Sequence, residues 1–549
     1  MQLSTVHIWL KRNSTLITAC AILVGAFILF AWLRQEPVFL DGDPFYHAKM
    51  AKLMIEWQDA IKEFLWIPGS ILEQHFTDHH FLYHVLLVPF VLVVGDPLIA
   101  VRIASIFFAA VFILSFYLLL RFIPTNGPLF YTLVLFSCPT FISRINLDKA
   151  PAVSLIVLSA GLYALLAKKW VLLAGISFLF VWLYDAWPIL LVASFLWCFT
   201  RIIARQLESQ EYSLASFFNP RNYAPFAWCL VGIIAGIIIN PYFPDNISFF
   251  KTHLISIALV TKGLAFGIGQ EWFPVEPFTF IRSNIFFSIL WLCAISWVIV
   301  QVLSLTGKLS LPDSARTPSA SSHTALFFGS FSILLFLLTV KSQRMAEYFI
   351  PIGILFIACS LRDLMNAFSW PDIRCALGQM RSKSLMALKV LGSMGIFIAV
   401  AYISSIHAAE YQQFLRVTRE ARIYPFHSMQ RVGEYMSAHV AHNAIVVTND
   451  WSYFPQLMYY ADRQRYVWGL DPTFTYDADP EKYDLLFSIV RGEKNDTAAE
   501  LLKKEFGASY MLFAKQDKQP LQHFAIQVAR DASFEKEYED AEAILYAIQ

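Results

Sequence analysis

Apolar residues fill long unbroken runs through the first three quarters of the chain, and the pattern shortens abruptly after residue 406. The first run, Ser14 to Leu33, is 20 residues without a charge, enough for a helix to cross a hydrocarbon core of about 30 Å. It is too long for a secretory h-region and lacks a small-residue cleavage site, so it is read as a retained first span. Further runs lie near 98–120, 128–143, 151–167, 169–184, 186–204, 225–241, 283–305, 323–340, 347–361 and 387–406, which makes eleven spans. The run from Phe81 to Val94 is shorter and stops at Gly95-Asp96-Pro97. It is read as a helix lying at the membrane surface.

Beyond 406, short apolar runs alternate with helical ones: 444–448 then 453–461, 465–470 then 480–490, 497–505 then 509–514, and finally 521–531 and 543–548. Such alternation predicts a small soluble α/β domain over 407–549, attached to a membrane domain over 1–406. The seven cysteines, at 20, 138, 198, 229, 293, 359 and 375, all precede it. No disulfide framework or cysteine metal site is therefore available to the tail. It also lacks a GxGxxG or P-loop phosphate cradle.

Charge sharpens the division. Residues 1–406 carry 27 Lys/Arg and 20 Asp/Glu, 12% charged, whereas residues 407–549 carry 15 and 21, or 25%. The whole chain is 57% hydrophobic with a net charge of +1, against roughly 45–50% apolar for a soluble domain. A soluble enzyme and a nucleic-acid partner are both excluded by this balance. With eleven spans and the N-terminus inside, the inside loops carry Lys11/Arg12, Arg121, Lys168/Lys169, Arg201/Arg205/Arg221, Lys308/Arg316 and Arg362/Arg374/Arg381/Lys383. Every inside loop satisfies the positive-inside rule, and counting 81–94 as a twelfth span would invert the loops that follow it. The outer face then receives the loop 34–97, the turn 144–150, a turn at Asp185, the loop 242–282, the turn 341–346 and the tail.

The chemistry should lie on that outer face, where the isolated acids gather. Asp43-Pro44-Phe45-Tyr46-His47 follows the first span, and Met50, Leu53, Met54, Trp57, Ile61 and Phe64 then repeat at helical spacing. This predicts an amphipathic helix along the membrane surface. Asp43 before Pro44 fits a helix N-cap; it equally fits a carboxylate that accepts a proton or holds a metal at the membrane boundary. Arg144-Ile-Asn-Leu-Asp148, Glu271-Trp-Phe-Pro274 and Arg344-Met345 with Tyr348 and Pro351 follow on the same face.

These four motifs, in this order, resemble those of oligosaccharyltransferase catalytic subunits, members of the GT-C class of polyprenol-dependent membrane glycosyltransferases. The resemblance implies a polytopic helical GT-C-like fold with catalytic Asp43, Glu271 and Asp148. It also implies a Mg2+ or Mn2+ site at Asp43, Asp148 and Glu271, with Arg344 on the lipid-linked phosphate. Where the family has a second acid two positions after the Asp, this chain reads Asp148-Lys149-Ala150. A cation would lose an oxygen ligand there, so metal-independent chemistry stands as the alternative, with Lys149 and Arg344 neutralising the phosphate. Arg144, His79 and His80 join the expected phosphate-binding set, and His75 and Asp78 lie beside the two histidines. Asn449-Asp450-Trp451-Ser452-Tyr453 stands where the family has a Trp-Trp-Asp acceptor reader. Asp450, Trp451 and Tyr453 are expected to meet the acceptor, without reading an Asn-x-Ser/Thr sequon. Glu276 and Asp185 are further acids of the outer loops.

The expected activity is transfer of a sugar from a polyprenyl phosphate or diphosphate to an acceptor outside the membrane, with inversion. The expected location is a bacterial inner membrane, with the site and the tail in the periplasm. The rival reading is a flippase or transporter of a polar lipid, which would favour charges within spans and internal repeats; neither feature is evident.

Overall fold

The computed structural model describes residues 14–253, 269–306, 320–367, 382–420, 424–494, 497–515 and 519–549. The main elements of the first part are α1 (Ser14–Leu33), β1 (Val38–Phe39), α2 (Asp43–Trp57), α3 (Phe81–Val94), α4 (Pro97–Phe122), α5 (Pro128–Phe136), α6 (Pro139–Ile145), α7 (Pro151–Leu166), α8 (Trp170–Leu183), α9 (Trp187–Ser209), α10 (Ala224–Ile238), α11 (Ile285–Leu305), α12 (Ala320–Lys341), α13 (Ala346–Ala367) and α14 (Ser382–Glu420). Among the described residues seven helices are long and apolar enough to cross a membrane, and α5 with α6, bent by 80°, can count as an eighth. The helices α3, α7 and α8 are apolar but shorter. The chain is a multi-pass integral membrane protein.

Local sequence sets these helices in place. Asp96 caps α4, its Oδ1 accepting from the amides of Leu98 and Ile99, with Pro97 in the first turn. The helices α8 and α10 pack so closely that a Cβ at Gly232 would stand 2.1 Å from the Ala174 carbonyl oxygen. Gly236, one turn on, would meet Phe178 at 2.9 Å. Two small residues four apart let backbones approach where lipid supplies no hydrophobic drive.

The two ends of α4 orient the bundle. At one end Arg121 donates to Thr15 at the start of α1, over 2.7 Å. At the other, Arg102 donates to the carbonyls of Arg34 and Glu36, just past the end of α1. The 26 residues of α4 span about 39 Å at 1.5 Å per residue, long enough to cross a hydrocarbon core. The basic residues Lys11, Arg12, Lys308, Arg316, Arg374 and Arg381 lie outside the described residues.

Two expectations change. The helix after Asp43 does not present one face to solvent: residues 44–51, 53 and 54 are all buried. It stops at Trp57 and is packed between α3, α4 and the tail, so Ile61 and Phe64 are buried from outside a helix. The periodicity was that of a core helix, and Lys49 is neutralised by Asp462 of the tail at 2.6 Å. The second change concerns residue 406, which lies inside α14 rather than at a break.

The tail comprises β2 (Tyr424–Pro425), α15 (Gln430–His439), β3 (Ile445–Thr448), α16 (Phe454–Tyr460), β4 (Arg465–Tyr466), α17 (Thr473–Ala478), α18 (Pro480–Val490), α19 (Ala498–Phe506), β5 (Ala508–Ala514), α20 (Gln519–Val528), β6 (Phe534–Glu539) and β7 (Ala543–Ile548). Its sheet has the order β4-β3-β5-β7-β6, parallel between β4, β3 and β5 and antiparallel from β5 onward. Outside this sheet, β2 pairs with β1 antiparallel, Val38 opposite Pro425 and Phe39 opposite Tyr424. Trp66 Nε1 donates to the Asp462 carbonyl, and the Tyr466 amide to that of Trp66. The tail is thus bonded to the first loop immediately before Asp41.

Candidate active site

The first loop is positioned from below by charge. Arg34 Nη1 and Arg102 Nε each stand 3.1 Å from one oxygen of Asp148. Arg34 also donates to Asn146 Oδ1 and the Ile145 carbonyl, both at 2.7 Å. Arg102 holds the carbonyls of Arg34, Glu36 and Val38. All three charged groups are buried, and partnering every oxygen is what makes such burial tolerable. This lock fixes the strand that leads into Asp41 and Asp43.

Lys149, the next residue, faces outward from the lock. Its ammonium stands 2.8 Å from Asp41 Oδ2, 2.7 Å from Asp43 Oδ2 and 3.8 Å from Glu271 Oε2. Burial alone would lower its pKa, but Asp41, Asp43 and Glu271 raise it well above the ordinary lysine value. Asp43 does not cap α2: the N-cap is Gly42 and no side chain serves it. Instead the Asp43 amide is accepted by Asp41 Oδ1, leaving the Asp43 carboxylate to Lys149 and to solvent. The Asp43 side chain is 46% exposed against 14% for Lys149, so the centre opens on the Asp43 side. Burial pushes the Asp41 carboxyl up to about 6, with Lys149 opposing and Asp43 adding to the rise.

Glu271 is the hub of the cations. Its Oε1 lies 3.3 Å from Arg344 and its Oε2 3.0 Å from Arg144. Burial would raise its pKa, yet Lys149, Arg344 and Arg144 hold it far below the usual carboxylate range. A permanently ionised Glu271 is a poor proton acceptor, so its part is to assemble charge rather than to act as base. Arg144 also bonds the fully buried Glu347 at 3.0 Å, so it is held between two carboxylates. Arg344 is different: its guanidinium lies 4.7 Å over the Trp272 ring and 5.2 Å over that of Tyr184, whose hydroxyl accepts its Nη2. Stacking fixes the plane of the guanidinium while other donors remain for a phosphate.

The expected divalent cation set does not assemble. A hard cation needs free carboxylate oxygens converging at 2.0–2.6 Å. Asp148 gives both oxygens to arginines, and a lysine ammonium joins Asp41 to Asp43. Asp148 is thereby a positioning residue, and the residues present do not fit Mg2+ or Mn2+ at Asp43, Asp148 and Glu271.

The histidines stand beside this centre without charge. Burial lowers His79 to about 4, against the pull of Asp185, and takes His80 well below the ordinary histidine value. Neutral imidazoles offer a phosphate no charge. His79 turns to Asp185 at 3.7 Å, where His253 Nδ1 also stands, 2.6 Å from the same oxygen. His80 rests on the rings of His79 and Tyr184. Beneath them runs a buried chain in which His47 Nδ1 is 2.8 Å from His84 Nε2 and His84 Nδ1 is 2.7 Å from Asp78. His75 is bonded to Asp245 at the surface. Glu276 is spent as the cap of the short helix Pro277–Ser283, accepting from Phe278 and Thr279.

On the tail side, Asp450 Oδ1 accepts from the Ser452 amide at 2.8 Å and so caps the turn Trp451–Tyr453. This turn borders the site: a Cβ on Gly42, between Asp41 and Asp43, would stand 3.3 Å from the Ser452 carbonyl and from Gln456. Sequence reading named Asp43, Lys149, Glu271 and Arg344, which the fold brings together, but missed Arg34, Arg102, Tyr184, Glu347 and His253. The only signal for Arg34 and Arg102 was their place at the outer ends of apolar runs, where snorkelling also puts basic residues.

No family model and no curated protein sequence matches the chain. Solved structures do. The archaeal oligosaccharyltransferase AglB from Archaeoglobus fulgidus, in complex with an inhibitory peptide and a dolichol-phosphate, is similar over 98% of this chain and 75% of its own, at 13% identity and a TM-score of 0.58. ArnT from Cupriavidus metallidurans, bound to undecaprenyl phosphate, is similar over 97% and 98%, at 13% identity and a TM-score of 0.53. The arabinofuranosyltransferase AftD from Mycobacteria matches over 96% of this chain and 40% of its own, at 10% identity and a TM-score of 0.54. From its first membrane helix to its C-terminal sheet, the chain has the fold of the GT-C glycosyltransferases.

Proposed function

We propose that the protein is a membrane glycosyltransferase that moves a sugar from a polyprenyl phosphate or diphosphate to an acceptor outside the membrane. The observation that carries this reading is the Lys149 ammonium between Asp41 and Asp43, beside an Arg344 held flat for a phosphate. A fold shared with structures that hold dolichol-phosphate and undecaprenyl phosphate supports a lipid-borne donor.

In this mechanism the lipid tail stays in the bilayer and the head group enters beside Arg344. Asp43, the most open carboxylate of the centre, accepts the proton of the acceptor hydroxyl or amide. The acceptor atom bonds to the anomeric carbon as the carbon–oxygen bond to phosphate breaks. That electron pair goes to the phosphate oxygen, where Arg344 and Lys149 stabilise it. Attack opposite the leaving group inverts the anomeric centre. Glu271 and Arg144 keep the cations in place, Asp148 holds the loop, and the turn carrying Asp450, Trp451 and Tyr453 forms the acceptor side. No step requires a cation bound at Asp43. We place the site and the tail in the periplasm, above a bacterial inner membrane crossed eleven times.

The test is transfer in membrane vesicles supplied with the native lipid-linked sugar. Wild-type protein transfers the sugar and Asp43→Asn, equally abundant and folded, does not; equal transfer by both would reject the assignment. A lipid flippase would move its cargo in both.

A further inference from the structure

Beside the transferase centre, three outer segments bring His79, Asp185 and His253 to one point. His79 comes from the first loop, Asp185 from the turn between α8 and α9, and His253 from the segment after the short helix Asp245–Phe250. One ligand atom from each lies within 4.8 Å of the others. His253 Nδ1 is 2.6 Å and His79 Nε2 3.7 Å from Asp185 Oδ2, on either side of the roughly 3.3 Å edge of a tetrahedron with metal bonds near 2.0–2.1 Å.

The Asp185 side chain is only 6% exposed, and its one close partner is His253 Nδ1, 2.6 Å from Oδ2; among the described residues its buried Oδ1 has no hydrogen-bond partner. Three converging lone-pair donors of this kind repel one another unless something positive lies between them. Ring packing around them is close: Phe249 stacks on His253 at 5.5 Å and on His79 at 4.9 Å. Phe474 of the tail closes over Phe249 at 5.8 Å. An apolar wall of this sort limits water and fixes the imidazole planes.

We propose that His79, Asp185 and His253 bind a zinc-class divalent cation. Two imidazole nitrogens and one carboxylate suit Zn2+ or Co2+, whereas Mg2+ and Ca2+ select oxygen. Three protein ligands leave a fourth position open. It adjoins the phosphate cation of the transferase centre, because Tyr184 precedes Asp185 and bonds Arg344, and Trp272 lies under Arg344 and 6.0 Å from His253. The cation would tie the three outer segments together around Arg344. Zinc binding itself does not rest on the transferase reading.

The full chain, purified in detergent, stripped with a chelator and dialysed against micromolar Zn2+, should retain about one zinc per chain by elemental mass spectrometry, with millimolar Mg2+ failing to displace it. Co2+ should give the visible absorption of a four-coordinate site. Asp185→Asn and His253→Ala should lose the metal, while Asp43→Asn should keep it. Should the alanine variant fold poorly, His253→Cys gives a second reading: it should hold Co2+ and add a sulfur-to-cobalt charge-transfer band. No zinc above background in the wild type, as expected if a proton alone joins His253 to Asp185, overturns the proposal. So does undiminished zinc in folded Asp185→Asn, or a Co2+ spectrum unaltered in His253→Cys.

Discussion

Asp148 and Asp43 are both carboxylates of the connections between helices, joined through the adjacent residue Lys149, and their surroundings give them opposite parts. Asp148 is buried with an arginine on each oxygen. Asp43 shares one lysine with Asp41 and is nearly half exposed. A carboxylate whose oxygens are all taken can hold a loop but cannot receive a proton from a substrate; one with an open side can. Motif order cannot distinguish the two, whereas burial and partner number can.

The sharpest way to break this contrast is to neutralise each acid. Asp43→Asn should lower transfer by about 10²–10⁴-fold, the usual worth of a positioned general base, with the melting temperature unchanged. A loss below tenfold would move the base elsewhere. Asp148→Ala should instead cost about 3–5 kcal/mol of stability, because it leaves Arg34 and Arg102 buried without their anion. Thermal unfolding in detergent reads this loss, and an unshifted transition would deny the lock. Lys149→Met should lower transfer by about 10²–10³-fold, with a smaller loss of stability than Asp148→Ala because Asp41, Asp43 and Glu271, which lose their shared cation, are partly exposed. Added Mg2+ or Mn2+ should not restore it, since Asp148 still faces its arginines; recovery with either cation would contradict the geometry.

The smallest effect concerns pH. Burial pushes the Asp41 carboxyl up to about 6, so as pH falls through 6 it takes up a proton and Lys149 keeps only Asp43 and the more distant Glu271 as anionic partners. A more tightly paired Asp43 is a weaker base, and the wild-type rate should fall on the acid side with a midpoint near pH 6. Asp41→Asn removes that step, giving a low rate that is flat through the same range. A limb unchanged in the variant would assign the titration to another group.

The membrane helices were legible because long apolar runs are a one-dimensional signal. So was most of the tail, through its alternation. The strand β6 was not: Phe534-Glu-Lys-Glu-Tyr-Glu539 is dominated by charge, and it forms the edge of the sheet, where charged side chains discourage pairing with other chains. Lys149 was legible as a departure from a metal-binding pattern, but its place between Asp41 and Asp43 was not, because more than 100 residues separate them. Arg34 with Asp148 is hidden by a similar separation, and Asp185 with His253 by a separation of 68 residues. Each is a pair formed by folding, and nothing local marks either partner. The helix α2 was misread for a related reason: periodicity shows one apolar face, and only the tail's position shows that the other face is covered too.

The central claim is that the outer centre transfers sugar from a polyprenol-linked donor through Asp43. It is tested most directly by mass spectrometry of envelope glycoconjugates and lipid-linked sugars in cells carrying the wild-type chain, Asp43→Asn or no copy. The account predicts that one sugar is missing from the same glycoconjugate in the last two, and that its polyprenol-linked form accumulates in both. An Asp43→Asn strain whose glycans and lipid-linked sugars match the wild type would contradict it.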